Sequence, residues 1–180
     1  MKEIIVYLHK DPKLYKDVKV FSTKPGIYAF FYLAKTENGM FPIESGKLIY
    51  IGKTESSQRK RDANTHFKSG KTGSSTFRKS IGSVLINELT LVPIPRNSSD
   101  FKKGRTSMFK FDERSEEKLT GWMKDHIAMT FYEFEGDKSE LDVLETQIIH
   151  ELTPPLLILA KTVITLSRRI FKGCERMLPE

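Results

Sequence analysis

Two short runs, residues 26–33 (GIYAFFYL) and 47–52 (KLIYIG), are aromatic and β-branched, and TENGMFPIESG, rich in turn formers, lies between them. This pattern predicts two antiparallel strands joined by a long loop. Next comes a polar, basic helix over 57–68 (SQRKRDANTHFK). A second helix over 74–89 opens with serines suited to capping and carries Phe77, Ile81, Leu85 and Leu89 at helical spacing. Pro93 and Pro95 end it, and the polar, basic stretch 95–112 reads as an exposed loop. A capped helix over 115–127 is expected to bury Leu119, Trp122 and Met123, and a third strand is expected over 128–134. The helix over 139–152 is the most regular: Asp137 or Ser139 caps it, Leu141, Leu144, Ile148 and Leu152 form its apolar stripe, and Pro154-Pro155 stops it. Together these elements predict an α+β fold with a small antiparallel sheet of about three strands flanked by α-helices.

Length and composition narrow the possibilities. A chain of 180 residues with 38% hydrophobic and 29% charged residues suits a single domain over 1–180. No segment approaches the roughly 18 consecutive apolar residues of a membrane helix, and the N-terminus lacks a secretory cleavage site. The lone Cys174 excludes an internal disulfide and a cysteine-based zinc site, which suits a cytoplasmic protein. Thirty basic residues against 23 acidic ones give +7, an excess that favours a polyanionic partner such as nucleic acid. The tail, 158–180, is basic and moderately helical.

At Gly26-Ile27-Tyr28 and Tyr50-Ile51-Gly52 the sequence resembles the GIY-YIG nucleases. With average residue usage both tripeptides arise together in about 1 in 2,000 chains of this length, so composition alone does not account for them. Downstream, Lys53, Arg59, Arg61 and His66 occupy a basic stretch, and Leu144-Glu145 precedes Ile148, Ile149 and Pro154-Pro155-Leu156, which resembles the family's metal-binding helix and its exit. The segment 74–85 resembles a serine-rich helix start in family members. The resemblance covers about 24–157, the expected catalytic core with loop insertions.

The resemblance implies a metal-dependent DNA endonuclease that hydrolyses phosphodiester bonds with Mg²⁺ (or Mn²⁺). Tyr28 and Tyr50 would sit on adjacent strands with both phenols on one face. Only about one tyrosine in a thousand is ionised at neutral pH, and Lys53, Arg61 and a bound cation would lower the phenol pKa and turn a tyrosine into a base. Arg61, with Arg59 as the alternative, offers a fork for the scissile phosphate. His66 either assists a tyrosine or the leaving group, or faces solvent. Glu145, at the border of the buried stripe, is the implied metal ligand. Arg59, Lys102, Lys103, Arg105 and Lys110 are expected to bind DNA, the last four through its backbone. The family's asparagine after Pro-Leu is replaced by Leu157, which supports an alternative, a weakly active or inactive DNA-binding module of the same fold. A structure-specific repair nuclease is a further alternative. Either a monomer or a homodimer is compatible with the sequence.

Overall fold

A computed structural model describes residues 1–34, 41–97, 99 and 108–156. The four-stranded antiparallel sheet has the order β1-β6-β2-β3, formed by β1 (Lys13–Leu14), β2 (Gly26–Tyr32), β3 (Leu48–Thr54) and β6 (Ile127–Glu133). The expectation of about three strands is therefore corrected to four. The added strand pairs only Lys13 with Met129 and Leu14 with Ala128, too short a run to leave a period-two pattern in the sequence.

Central β2 is buried along its whole length, because both faces of the sheet are covered, and this is why GIYAFFY shows no polar alternation. One face carries Tyr28, Phe30, Tyr32, Tyr50, Ile127 and Met129. Against it pack α2 (Thr76–Val84), through Phe77 and Ile81, and α3 (Glu113–His126), through Leu119, Trp122 and Met123. The other face carries Ile27, Ala29, Phe31, Ile51 and Ala128, and is covered by Leu8 of α1 (Lys2–Leu8) and by Leu141, Leu144 and Ile148 of α4 (Lys138–Leu152). Two apolar layers thus sandwich one sheet.

The caps follow their residue types. Ser75, Asp112 and Asp137 accept the backbone N–H of Arg78, Ser115 and Glu140, and Asp137 and Glu140 complete a capping box. α2 ends at Val84, short of the expected 89, and Leu85 still packs in the core. Two expectations are corrected here. The stretch 95–112 is not wholly loop: β5 (Phe109–Phe111) pairs with β4 (Pro93–Pro95), burying Phe109 and Phe111 while Lys110 points outward. The helix expected over 57–68 is a π-helix, Arg59–His66, marked by the Phe67 N–H donating to the Asp62 carbonyl.

Candidate functional site

Strand register sets the first half of the site. Tyr28 lies opposite Gly52, and Phe30 lies opposite Tyr50, so the two tyrosines are diagonal neighbours on one face of the pair. Their rings stack with centroids 6.3 Å apart and planes 11° apart. Both motif glycines have steric reasons. A Cβ at Gly52 would collide with the Tyr28 ring and hydroxyl, and one at Gly26 would collide with the Tyr132 carbonyl on β6.

The π-helix supplies the next residues. Arg61 and His66 are five positions apart, a spacing that would send them to different faces of an α-helix. A π-helix bonds i to i+5 and brings such residues onto one face. Both reach the same atom: Arg61 Nε donates to Tyr28 Oη at 3.5 Å, and His66 Nε2 lies 3.0 Å from it. His66 is fully buried, so of its two expected situations the solvent-facing one is excluded. Its Nδ1 sits 2.8 Å from Ser75 Oγ at the start of α2.

Glu145 comes from the opposite layer. α4 covers the face away from the tyrosines, yet Glu145 enters the same cleft beside the outer strand β3. That cleft, about 440 Å³, is lined by Tyr28, Tyr50, Lys53, Lys60, Arg61 and Glu145 among others. Lys53 is half-buried and committed to acidic partners, with Nζ 3.0 Å from Glu55 and also paired with Asp142. Arg59 and Lys60 are exposed nearby. Lys110 is exposed on β5 and is not among the residues lining the cleft. Lys102, Lys103, Arg105 and Leu157 lie outside the described residues.

The electrostatics correct one expectation. Burial pushes both phenols up: Tyr50 to about 12 and Tyr28 further, with Arg61 only partly opposing this. Removing a phenolate from water costs more than the nearby cation returns, and Lys53 already faces two carboxylates. Burial, followed by the cations Arg61 and Arg78, holds His66 well below the usual imidazole range and hence neutral. Burial raises Asp62 well above the usual carboxylate range. The Gln58 side chain and Arg61 only partly oppose this. Burial also raises Glu145, against the pull of Lys53 and Arg61.

Sequence reasoning missed the support behind the site. Arg78, wholly buried, donates from Nη2 to Glu116 Oε2 at 2.6 Å and to Thr120 Oγ1 at 2.9 Å. From Nη1 it donates to the His66 carbonyl at 3.1 Å, and from Nε to Thr72 Oγ1 at 3.2 Å. This clamp fixes the end of the π-helix and with it the His66 ring. An arginine and a glutamate 38 positions apart leave no local signal of pairing.

A family model described as the GIY-YIG catalytic domain matches residues 33–168. The chain belongs to the GIY-YIG family. The match takes in Tyr50, Arg61, His66 and Glu145 and begins just past Gly26-Ile27-Tyr28, a tripeptide tied to Tyr50-Ile51-Gly52 by the strand register. No curated protein and no solved structure gives a match. Membership carries a nuclease-type fold, in keeping with the α+β architecture. Among the described residues no helix is long and apolar enough to cross a membrane.

Proposed function

We propose that this GIY-YIG protein is a DNA endonuclease that cleaves a phosphodiester bond by hydrolysis. The observation that carries the reading is the convergence of Tyr28, Tyr50, Arg61 and Glu145 on one polar cleft from four different elements. Water attacks phosphorus and the bond to the 3′ oxygen breaks, leaving 5′-phosphate and 3′-hydroxyl ends, as the family resemblance implies.

The residues present fit one hard divalent cation. Glu145 projects a half-buried carboxylate into the open cleft and makes no salt bridge among the described residues. No cluster of three metal-type side chains occurs among them. Glu55 also lines the cleft, but its carboxylate is paired with Lys53 and Lys138. Glu145 would therefore hold the ion, with most of its shell left to water and phosphate oxygens, a pattern that suits Mg²⁺ or Mn²⁺. When bound, such an ion supplies charge stabilisation at the phosphoryl oxygens and lowers the pKa of a water.

The chain's own groups have distinct tasks. Tyr28, once ionised, is a strong base because its burial resists ionisation, and Arg61 beside it reduces that resistance. Arg61 spends Nε on Tyr28 and keeps its other N–H groups for the scissile phosphate. Tyr50, stacked on Tyr28 and lining the same cleft, orients the phosphate or the water. The exposed Arg59 and Lys60 extend the cationic surface for the DNA backbone.

A supercoiled-plasmid nicking assay with and without Mg²⁺, run beside a gel-shift assay, tests the reading. Wild type should nick only with the metal. Glu145→Ala should bind DNA without nicking it, and Tyr28→Phe should cut about 10²-fold more slowly. A wild type that shifts DNA yet never nicks it with Mg²⁺ or Mn²⁺ would make the protein a binding module. Cleavage by Glu145→Ala at the wild-type rate would remove Glu145 as the metal holder.

A further inference from the structure

The hydrogen-bond chain behind Tyr28 determines which way its proton can travel. Ser75 is fully buried, and its hydroxyl oxygen has two partners, the Arg78 backbone N–H at 3.1 Å and His66 Nδ1 at 2.8 Å. The Arg78 N–H can only donate. The hydroxyl hydrogen of Ser75 needs an acceptor, and among these partners His66 Nδ1 is the one that can accept. A buried hydroxyl left without an acceptor is costly, so Nδ1 carries no hydrogen and the neutral ring bears its proton on Nε2.

We propose that Ser75 is a positioning residue that fixes His66 as the Nε2–H tautomer, so that His66 donates to Tyr28 Oη and never receives the phenol proton. Tyr28 Oη then faces two donors, His66 Nε2–H and Arg61 Nε–H. Its own hydrogen has no acceptor on that side and points into the cleft that Tyr28 lines. The phenol O–H breaks with its proton leaving through the cleft to solvent. The phenolate is received by the two waiting donors and takes a proton from the attacking water, which restores the phenol as the new P–O bond forms and the bond to the 3′ oxygen breaks. That oxygen takes up a proton from solvent in place of the one the phenol released. The opposite tautomer would hold the phenol proton on the His66 side and remove the base. This assignment rests on the nuclease reading for its catalytic use, but not for the tautomer itself.

The test is a long-range ¹H–¹⁵N spectrum of the histidine rings in the full-length wild type near neutral pH, with His66→Asn to assign the His66 signals. The expected pattern is Nε2–H with a bare Nδ1. Ser75→Ala should populate the Nδ1–H form and lower kcat about 10- to 100-fold, the scale of one charge-assisted hydrogen bond, with KM little changed. Ser75→Thr, which keeps the hydroxyl and the helix cap, should restore both the tautomer and the rate. An Nδ1–H ring in wild type overturns the proposal, as does a folded Ser75→Ala protein with unaltered kcat. If Ser75→Ala does not fold, the wild-type spectrum still decides the tautomer. A wild type with the expected tautomer that never cleaves DNA would overturn the nuclease reading and its catalytic use of Ser75, and leave the tautomer assignment standing.

Discussion

Replacing Glu116 by Gln should destabilise the whole domain, although position 116 does not line the cleft. The carboxylate is 2% exposed and accepts three bonds: Arg78 Nη2 at 2.6 Å and Gly70 N–H at 3.2 Å on Oε2, and Thr72 N–H at 3.2 Å on Oε1. Glutamine keeps the shape but turns one oxygen into an NH₂ group. In either orientation that group faces a donor, and in both the charge opposite Arg78 is gone. Breaking a buried ion pair from one side costs about 3–5 kcal/mol, and an orphaned buried amide about 1–3 kcal/mol where water cannot reach it. Because the retained oxygen can still serve Arg78, about 4 kcal/mol is the expected total. For a domain of this size that corresponds to a fall in Tm of roughly 8–16 °C. Urea unfolding followed by tryptophan fluorescence gives the difference directly, provided the m-value is unchanged. The double replacement Arg78→Met with Glu116→Leu removes both charges but leaves the Thr72 N–H and the His66 carbonyl without those partners, so it should recover only part of the loss. A Glu116→Gln protein within about 1 kcal/mol of wild type would show that the pair is not the buried clamp described here.

Other expectations are local. Gly52→Ala should fold, displace the Tyr28 ring and slow cleavage about 10²-fold, the usual cost of a misplacement near 1 Å; full activity in a nicking assay would mean that the Tyr28 position is not critical. Tyr50 has its pKa raised from 10.0 to about 12 by burial, so the stability it contributes is complete below pH 10 and lost as pH rises towards 12. Comparing urea unfolding at about pH 9 and 11.5, Tyr50→Phe should lose roughly 2 kcal/mol less than wild type, and parallel losses would contradict the burial argument. Arg59→Ala with Lys60→Ala should flatten the salt dependence of DNA affinity by nearly two log–log units if each meets one phosphate. An unchanged slope would place both outside the DNA contact.

Much of this was legible in the sequence because the informative features were local. The tripeptides fixed two strands and their facing tyrosines, and the stripe of Leu141, Leu144 and Ile148 gave α4 and placed Glu145 at its border. Strand β1 escaped notice because two residues leave no periodicity. The π-helix escaped because its polar sequence carries no apolar stripe, and helical reading assumes a period of 3.6. In β5, Phe109 and Phe111 flank Lys110 in a run of three residues inside a basic stretch, and composition hid the alternation. The direction of the tyrosine shifts was out of reach, since it depends on how completely two layers exclude water. Ser75 was readable as a helix cap, but its second bond, to His66 nine residues earlier, belongs to tertiary structure.

The placement of the cleft at the outer strand has a consequence for the life of the protein. Tyr28 and Tyr50 depend on one apolar layer, packed by α2 and α3, while Glu145 depends on the other, packed by α4. Neither layer alone assembles the chemistry. α4 is also among the last of the described elements to leave the ribosome, so a nascent chain carries both tyrosines long before it can bring Glu145 to them. A chain that has lost either layer, through incomplete synthesis, heat or proteolysis, no longer brings the tyrosines and Glu145 together. Under the proposed function, cutting DNA would therefore be confined to molecules that have finished folding.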